Sequence, residues 1–275
     1  MISIEQSASS TGELNRGRGT LAYDVQGVGP LVVCVPGMGD LRSTYRFLVP
    51  QLVAAGYRVA TLDLRGHGES STEFDSYDDA ALASDVVALT QKLGGPAILV
   101  GNSMGAGAAV IVAAEHPDLV ARLVLIGPFV RNSSPFPGAS QVMRLALLQP
   151  WGPRVWKSFH RRMFTGAPPS DYDEFQRSLM ASLTRPGAWR ALQQTTRTSH
   201  QQAEDSLRNV KAPTLVVMGG NDPDFKSPAD EAAFVASELN GEVVLVPDAG
   251  HYPQAESPEV VGKSIITFLH ETARG

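Results

Sequence analysis

One cysteine, Cys34, is all that this 275-residue chain carries. That excludes an internal disulfide framework and fits a reducing compartment. Cys34 stands inside the apolar run Leu31-Val32-Val33-Cys34-Val35, where a thiol is expected to act as a small buried hydrophobe. Excess positive charge is missing too: the formal net charge is −5, which gives no electrostatic footprint for nucleic acid. No apolar run reaches the roughly 18 residues of a membrane span, and residues 1–18 have no apolar h-region, so neither a span nor a signal peptide is expected. Ligand clusters and phosphate-binding loops are absent, so no metal and no organic cofactor is implied. These absences lead to the expectation of a soluble, cytoplasmic protein acting on a small molecule, with neither nucleic acid nor membrane as partner. Assembly is left open between a monomer and a homodimer.

What is present is a chain with 43% hydrophobic residues, long enough to bury one large core. Its most informative stretch is Gly101-Asn102-Ser103-Met104-Gly105. Before it stands the β-branched run Ala97-Ile98-Leu99-Val100, and after it a run of small apolar residues ends at His116-Pro117. Strand, sharp turn and helix form the context in which a G-x-S-x-G pattern carries chemistry. A serine at the apex of such a turn has strained backbone, and chain passing close by requires minimal side chains two residues before and two after. The helix starting there aims N–H groups and its positive dipole end at whatever binds.

In chain order, residues 1–16 read as a loose arm or weak edge strand, and 19–27 and 31–35 as an antiparallel hairpin turned by Gly27-Val28-Gly29-Pro30. The turn Pro36-Gly37-Met38-Gly39-Asp40 follows, positioned to place the N–H of Met38 beside Ser103. A helix over 45–55 and a strand over 57–64 come next. Residues 63–70 form a tight polar loop in which His67 is expected to brace the turn rather than act as a base. A helix over 78–93, capped by Asp78 or Asp79, precedes the strand into the Ser103 turn. After a strand at 123–127 the strand–helix rhythm breaks. Residues 128–210 contain helical pieces (140–148, 153–163, 172–183, 188–200), the aromatics Phe136, Trp151, Trp156, Phe159, Phe164, Phe175 and Trp189, and eleven Lys/Arg against five Asp/Glu. They read as a basic helical lid inserted into a core formed by 1–127 and 211–275. Strands resume at 214–218 and 243–246, with helices over 228–239 and 256–269. The fold class is α/β, a mostly parallel sheet with helices on both faces.

Asp222, in Gly219-Gly220-Asn221-Asp222-Pro223-Asp224, follows the 214–218 strand, and His251 follows the last one. Serine, acid and histidine in that order, each at a strand's C-terminal end, are the order of one catalytic constellation. In these three matches the chain resembles the α/β-hydrolase fold superfamily from Gly19 to Leu269. The resemblance implies Ser103 as nucleophile, His251 as base, Asp222 as orienting acid ahead of Asp224 and Asp248, and the N–H groups of Met38 and Met104 as the oxyanion hole. The loop that corresponds to the superfamily's His-Gly turn has Pro36 in the histidine position, which keeps the backbone donor but puts the loop's usual bracing in question. Gly37, Trp189, Arg190 and Tyr252 are the expected substrate contacts, Arg190 toward an anionic group.

A serine at position 103 argues against dehalogenase and epoxide hydrolase relatives, which carry a carboxylate there. Hydrolysis of a carboxylic ester or lactone is the expected reaction. The alternative is C–C hydrolysis of vinylogous β-diketone acids, since Gly101–Gly105 and Leu123-Val124-Leu125-Ile126-Gly127-Pro128 are similar to stretches of meta-cleavage-product hydrolases. Esterases, lactonases and cofactor-free haloperoxidases have similar stretches as well. A slow-turnover small-molecule receptor on the same fold is the reading from outside enzymology.

Overall fold

Short β-branched runs alternating with helices build one eight-stranded sheet in the computed structural model, which describes residues 9–132 and 138–271. The strands are β1 (Ser10–Asn15), β2 (Thr20–Gln26), β3 (Leu31–Val35), β4 (Arg58–Leu62), β5 (Ala97–Asn102), β6 (Val120–Ile126), β7 (Thr214–Gly219) and β8 (Glu242–Val246), in spatial order β1-β2-β4-β3-β5-β6-β7-β8. From β4 to β8 all neighbours are parallel, while β2 runs antiparallel to both β1 and β4. Every residue of β3, β5 and β7 is buried, as expected for parallel strands covered on both faces.

The hairpin expected between 19–27 and 31–35 does not form. β2 pairs instead with β1 and β4, and β3 lies between β4 and β5. The connection 27–30 carries the chain across the end of β4, where a Cβ on Gly29 (φ 118°) would lie 2.0 Å from the Gly56 carbonyl oxygen. An entirely apolar run such as β3 gains most between two strands, whereas β2 alternates polar and apolar and suits the outer position. Of the expected N-terminal arm, residues 10–15 are edge strand β1 and residues 1–8 lie outside the described residues.

Helices cover both faces. α2 (Asp79–Lys92), α3 (Met104–Glu115) and α9 (Pro228–Leu239) pack on one, and α1 (Leu48–Ala54) with α11 (Pro258–Glu271) on the other. α10 (Pro253–Glu256) is a single turn before α11, so the helix expected over 256–269 begins afresh at Pro258. Asp78 is the cap of α2, its Oδ1 accepting the Ala81 N–H at 2.9 Å. Between β6 and β7 lie α4 (Ala139–Ala146), α5 (Gly152–Arg162), α6 (Tyr172–Leu183), α7 (Ala188–Thr195) and α8 (Gln201–Ser206). The helix expected over 188–200 stops at Thr195. Beyond it, the Thr198 hydroxyl and His200 Nδ1 turn to the Asp79 carboxylate at 3.0 and 2.7 Å. Phe136 lies outside the described residues. No helix among the described residues is long and apolar enough to cross a membrane.

Asp85 is a buried junction of three segments. Its fully buried carboxylate accepts Arg16 Nε at 2.8 Å from the β1–β2 turn and Arg65 Nε and Nη2 at 2.7 and 2.8 Å from the loop after β4. Asp85→Ala strands two part-buried guanidinium groups, and a loss of about 3 kcal/mol in unfolding free energy is expected from urea denaturation. A change within experimental error would show that the junction is not structural.

Candidate active site

The turn from β5 into α3 holds Ser103 at φ 55° and ψ −122°. A non-glycine residue with positive φ is strained, and the surroundings must fix it. Here the Ser103 N–H donates to the Ile126 carbonyl at 3.0 Å, and the Ser103 carbonyl accepts the N–H groups of Ala106, Gly107 and Phe129 at 3.0, 3.4 and 3.2 Å. The two glycines of the motif are required by space: a Cβ on Gly101 would lie 2.4 Å from the Gly105 carbonyl oxygen, and one on Gly105 would lie 2.3 Å from that of Val35. Asn102, fully buried, donates through Nδ2 to the carbonyls of Ile126 (3.0 Å) and His251 (3.2 Å), tying this turn to the last loop.

At the ends of β7 and β8 the loops bring His251 Nδ1 to 2.7 Å from Asp222 Oδ2. Asp224 Oδ2 stands farther off, at 3.7 Å. Asp222 is held from behind, its Oδ1 accepting the Asp224 N–H at 3.0 Å. Phe129 links the two halves: its N–H bonds Ser103, and its ring meets the His251 ring edge-on at 5.8 Å. Thus Ser103, Asp222 and His251, which stand far apart in sequence, are brought to one edge of the sheet. Asp248, the other acid considered, is exposed.

The loop after β3 passes over Ser103. A Cβ on Gly37 would lie 2.8 Å from the Ser103 Cβ, so only glycine permits this approach. Met38 follows, half-buried, and Met104 opens α3. The loop is braced by His67: the Gly39 N–H donates to His67 Nε2 at 3.0 Å, and His67 Nδ1 pairs with the Arg65 carbonyl at 2.9 Å. Since Nε2 accepts, the proton is on Nδ1, and burial holds the ring's pKa below its ordinary value. His67 is therefore the brace, as expected. From the other side Trp156 of α5 presses on Gly39 and donates its indole N–H to the Gly39 carbonyl at 3.3 Å.

Burial works against a charged His251, but the charge and hydrogen bond of Asp222, then Asp224 and Asp40, outweigh it and raise its pKa to about 9. Asp40 is a residue that sequence reasoning passed over. It is fully buried, its Oδ1 accepts the Leu41 N–H at 2.8 Å, and its Oδ2 has no hydrogen-bond partner. Burial raises its pKa to about 6. His160 is the second such residue. The Gln176 amide donates to the Tyr172 oxygen at 2.7 Å, and Tyr172 in turn meets His160 Nδ1 at 3.2 Å. The other ring nitrogen, Nε2, is buried and unpartnered. Burial lowers the pKa of His160 to about 3, so the ring is neutral. Burial distinguishes Asp40 from other turn acids, and an unpartnered ring nitrogen distinguishes His160 from His200, the other insertion histidine, whose Nδ1 pairs with Asp79; one sequence discloses neither.

Tyr252 is buried beside His251, stacked on Phe164 at 4.8 Å and close to His160 at 5.4 Å. Trp189 and Arg190 need correction. Trp189 is buried in the apolar cluster that seats the insertion on Met38 and Leu41, with its indole N–H satisfied by the Leu147 carbonyl at 3.0 Å. Its role is packing. Because Trp189 faces inward, its helix neighbour Arg190 is turned outward. Arg190 is exposed and lines a cavity of about 670 Å3 with Arg18, Tyr77 and Arg197, among whose lining residues Ser103, Asp222 and His251 do not appear. For metal binding, the donor atoms of Asp222, Asp224 and His251 lie within 4.8 Å of one another. A cation there would have to displace the proton that His251 Nδ1 shares with Asp222.

His251 is expected to titrate near pH 9 by NMR, and Asp222→Asn to bring it down toward its ordinary 6.5. Because the folded value exceeds 6.5, proton binding stabilises the fold fully below that pH, and the contribution is lost as pH rises through about 9. An unchanged titration in Asp222→Asn would remove the pair as the cause.

Comparison with known proteins places residues 32–263 under the model of the alpha/beta hydrolase family. A Mycobacterium tuberculosis protein named for non-heme bromoperoxidase is 30% identical over 90% of this chain and 97% of its own length. The 2-(acetamidomethylene)succinate hydrolase of Mesorhizobium japonicum is 29% identical over 92% of each chain. Among solved structures, a thermophilic esterase from Thermogutta terrifontis superposes with a TM-score of 0.79 at 26% identity, over 95% of this chain and 98% of that one.

Proposed function

The chain belongs to the alpha/beta hydrolase family and is a hydrolase; on that footing we propose that it cleaves a carboxylic ester or lactone of a small molecule, with Ser103 as nucleophile. The observation that carries this reading is the pairing of a strained, buried serine turn with His251 held on Asp222 at 2.7 Å. A serine hydroxyl is a weak nucleophile near neutral pH, so His251 Nε2 takes its proton as Oγ attacks the carbonyl carbon and returns it to the leaving oxygen. Asp222 accepts the Nδ1 proton, fixes the tautomer and stabilises the imidazolium. The N–H groups of Met38 and Met104 bind the developing oxyanion, each worth about 3 kcal/mol. Water then attacks the acyl-enzyme by the same route. The inserted helices act as a lid over this site.

Electrostatics favours the ester or lactone over a vinylogous diketone acid. Asp40 and Asp224 add negative charge around His251, and Arg46, the cation that bears on Asp40, is committed to Asp171 through two 2.6 Å bonds. An anionic acyl group would meet the carboxylates of Asp40 and Asp224 there.

A fluorophosphonate is expected to label the wild type once, as read by intact mass, and Ser103→Ala to lose both the label and about three orders of magnitude or more of ester turnover. A folded wild type that takes no label and binds ligands without turnover would sink this reading in favour of a receptor. Faster loss of a vinylogous diketone acid than of any simple ester would put C–C cleavage first. The rate should climb as pH rises through about 9, where His251 loses its proton and becomes a base. A limb near 6.5 would show that the carboxylates around His251 do not govern its basicity.

A further inference from the structure

Nine large apolar side chains are exposed among the described residues, and five of them fall within fourteen positions of the insertion: Val142, Leu145, Leu148, Trp151 and Val155. They form one strip. Val142 and Leu145 are a turn apart on α4. The Leu148 N–H and the Trp151 indole N–H both donate to the Leu145 carbonyl, at 3.2 and 3.0 Å, which folds Trp151 back over the end of that helix. Val155 follows Trp151 by four residues, on the same face of α5. Ser158 and Arg162 continue that stripe, with Arg154 and Arg161 along its flank.

Along the chain, the charge of this stretch has one sign. Between Asp118 and Asp171 the chain contains no carboxylate, yet it has Arg122, Arg131, Arg144, Arg154, Lys157, Arg161 and Arg162. Arg144, Arg154, Lys157 and Arg162 are exposed. None of these four has a carboxylate partner among the described residues.

We propose that this face of α4 and α5 docks on an anionic lipid surface. An exposed apolar strip bearing a tryptophan and rimmed by cations matches an interface in which hydrocarbon lies below a layer of negative headgroups. A second copy of the chain fits less well, because a two-fold contact through this face sets the same cations against one another. Docking requires no spanning helix, so the expectation that the chain has no membrane partner, which rested on the lack of one, does not extend to this face.

The test is sedimentation of the full chain with vesicles of equal phosphatidylglycerol and phosphatidylcholine, and with vesicles of phosphatidylcholine alone. Binding to the anionic vesicles is expected to be about tenfold stronger or more at low salt, and to fall as salt shortens the reach of the charges. The double variant Leu145→Glu, Val155→Glu should lose binding, while Arg154→Gln with Lys157→Gln should lose the preference for phosphatidylglycerol. Both alter exposed positions, and an unchanged unfolding midpoint verifies the fold. Trp156 and Trp189 are buried, so a blue shift of emission on docking should come from Trp151 and vanish in Trp151→Phe. Failure to sediment with anionic vesicles would overturn the proposal, as would equal binding to both compositions. A wild-type dimer that ignores vesicles and is split by the Leu145→Glu, Val155→Glu variant would assign the strip to a second copy. Binding is read without turnover, so the outcome is independent of what Ser103 does.

Discussion

How closely the chain passes itself at the carboxyl edge of the sheet sets everything else. Three contacts leave no room for a single carbon, and a fourth, at Gly127, is tight at 3.2 Å. Gly105 lies under the end of β3, Gly37 over Ser103, Gly127 against the His251 and Asp222 side chains, and Gly219 against the Gly250 carbonyl, where a Cβ would sit at 1.9 Å. Each joins two segments remote in sequence, and together they lock the ends of β3, β5, β6, β7 and the loop carrying His251. The positive φ of Ser103 persists because the backbone around it is over-determined by hydrogen bonds to β6 and the 127–130 segment. Geometry at such a site belongs to the backbone, which is stiffer than any side chain that could be asked to hold it.

Within that frame the charges are set by neighbours rather than by water. His251 is buried, and so are Asp222 and Asp40, which would be costly if each stood alone. Asp222 avoids the cost by accepting from His251 and from the Asp224 N–H. Asp40 and His160 do not avoid it fully: one carboxylate oxygen and one imidazole nitrogen remain unsatisfied close to the same imidazole. Buried polar atoms left open in a folded chain are suited to a bound polar group.

Much of this was legible in the sequence, for reasons that can be named. The Ser103 turn showed itself because its glycines are sterically obligatory and its flanking strand and helix have clear periods. Asp222 and His251 stood at the ends of β-branched runs and needed no knowledge of packing. The pairing of β2 was misread because a Gly-rich connection before an apolar run has the composition of a hairpin turn, while its path across β4 depends on contacts with residues 56 and 57. Trp189 and Arg190 were misplaced for a related reason. Adjacent residues on a helix point about 100° apart, and which one faces inward is fixed by partners such as Leu147, forty-two positions away. His67 was read correctly as a brace, yet the residue it holds, Gly39, becomes evident only in three dimensions.

α5 connects the two regions of interest. One face of it carries Trp156 onto Gly39 and His160 toward Tyr252; the opposite face carries Trp151 and Val155 outward. The insertion is held against the loop over Ser103 by the Trp156–Gly39 hydrogen bond, by the part-exposed Arg46–Asp171 ion pair nearby, and by the apolar cluster of Trp156, Leu41, Phe175 and Trp189. An exposed ion pair contributes roughly 0–1 kcal/mol, whereas burying one large apolar side chain contributes about 1.5–3 kcal/mol. Attachment of the insertion is therefore governed by the apolar cluster, and any force that rotates α5 acts on it first. A surface drawing Trp151 and Val155 away from the sheet would pull on the same helix that seats Trp156. On the proposed readings, docking and access to Ser103 are thereby coupled through one rigid element of three turns.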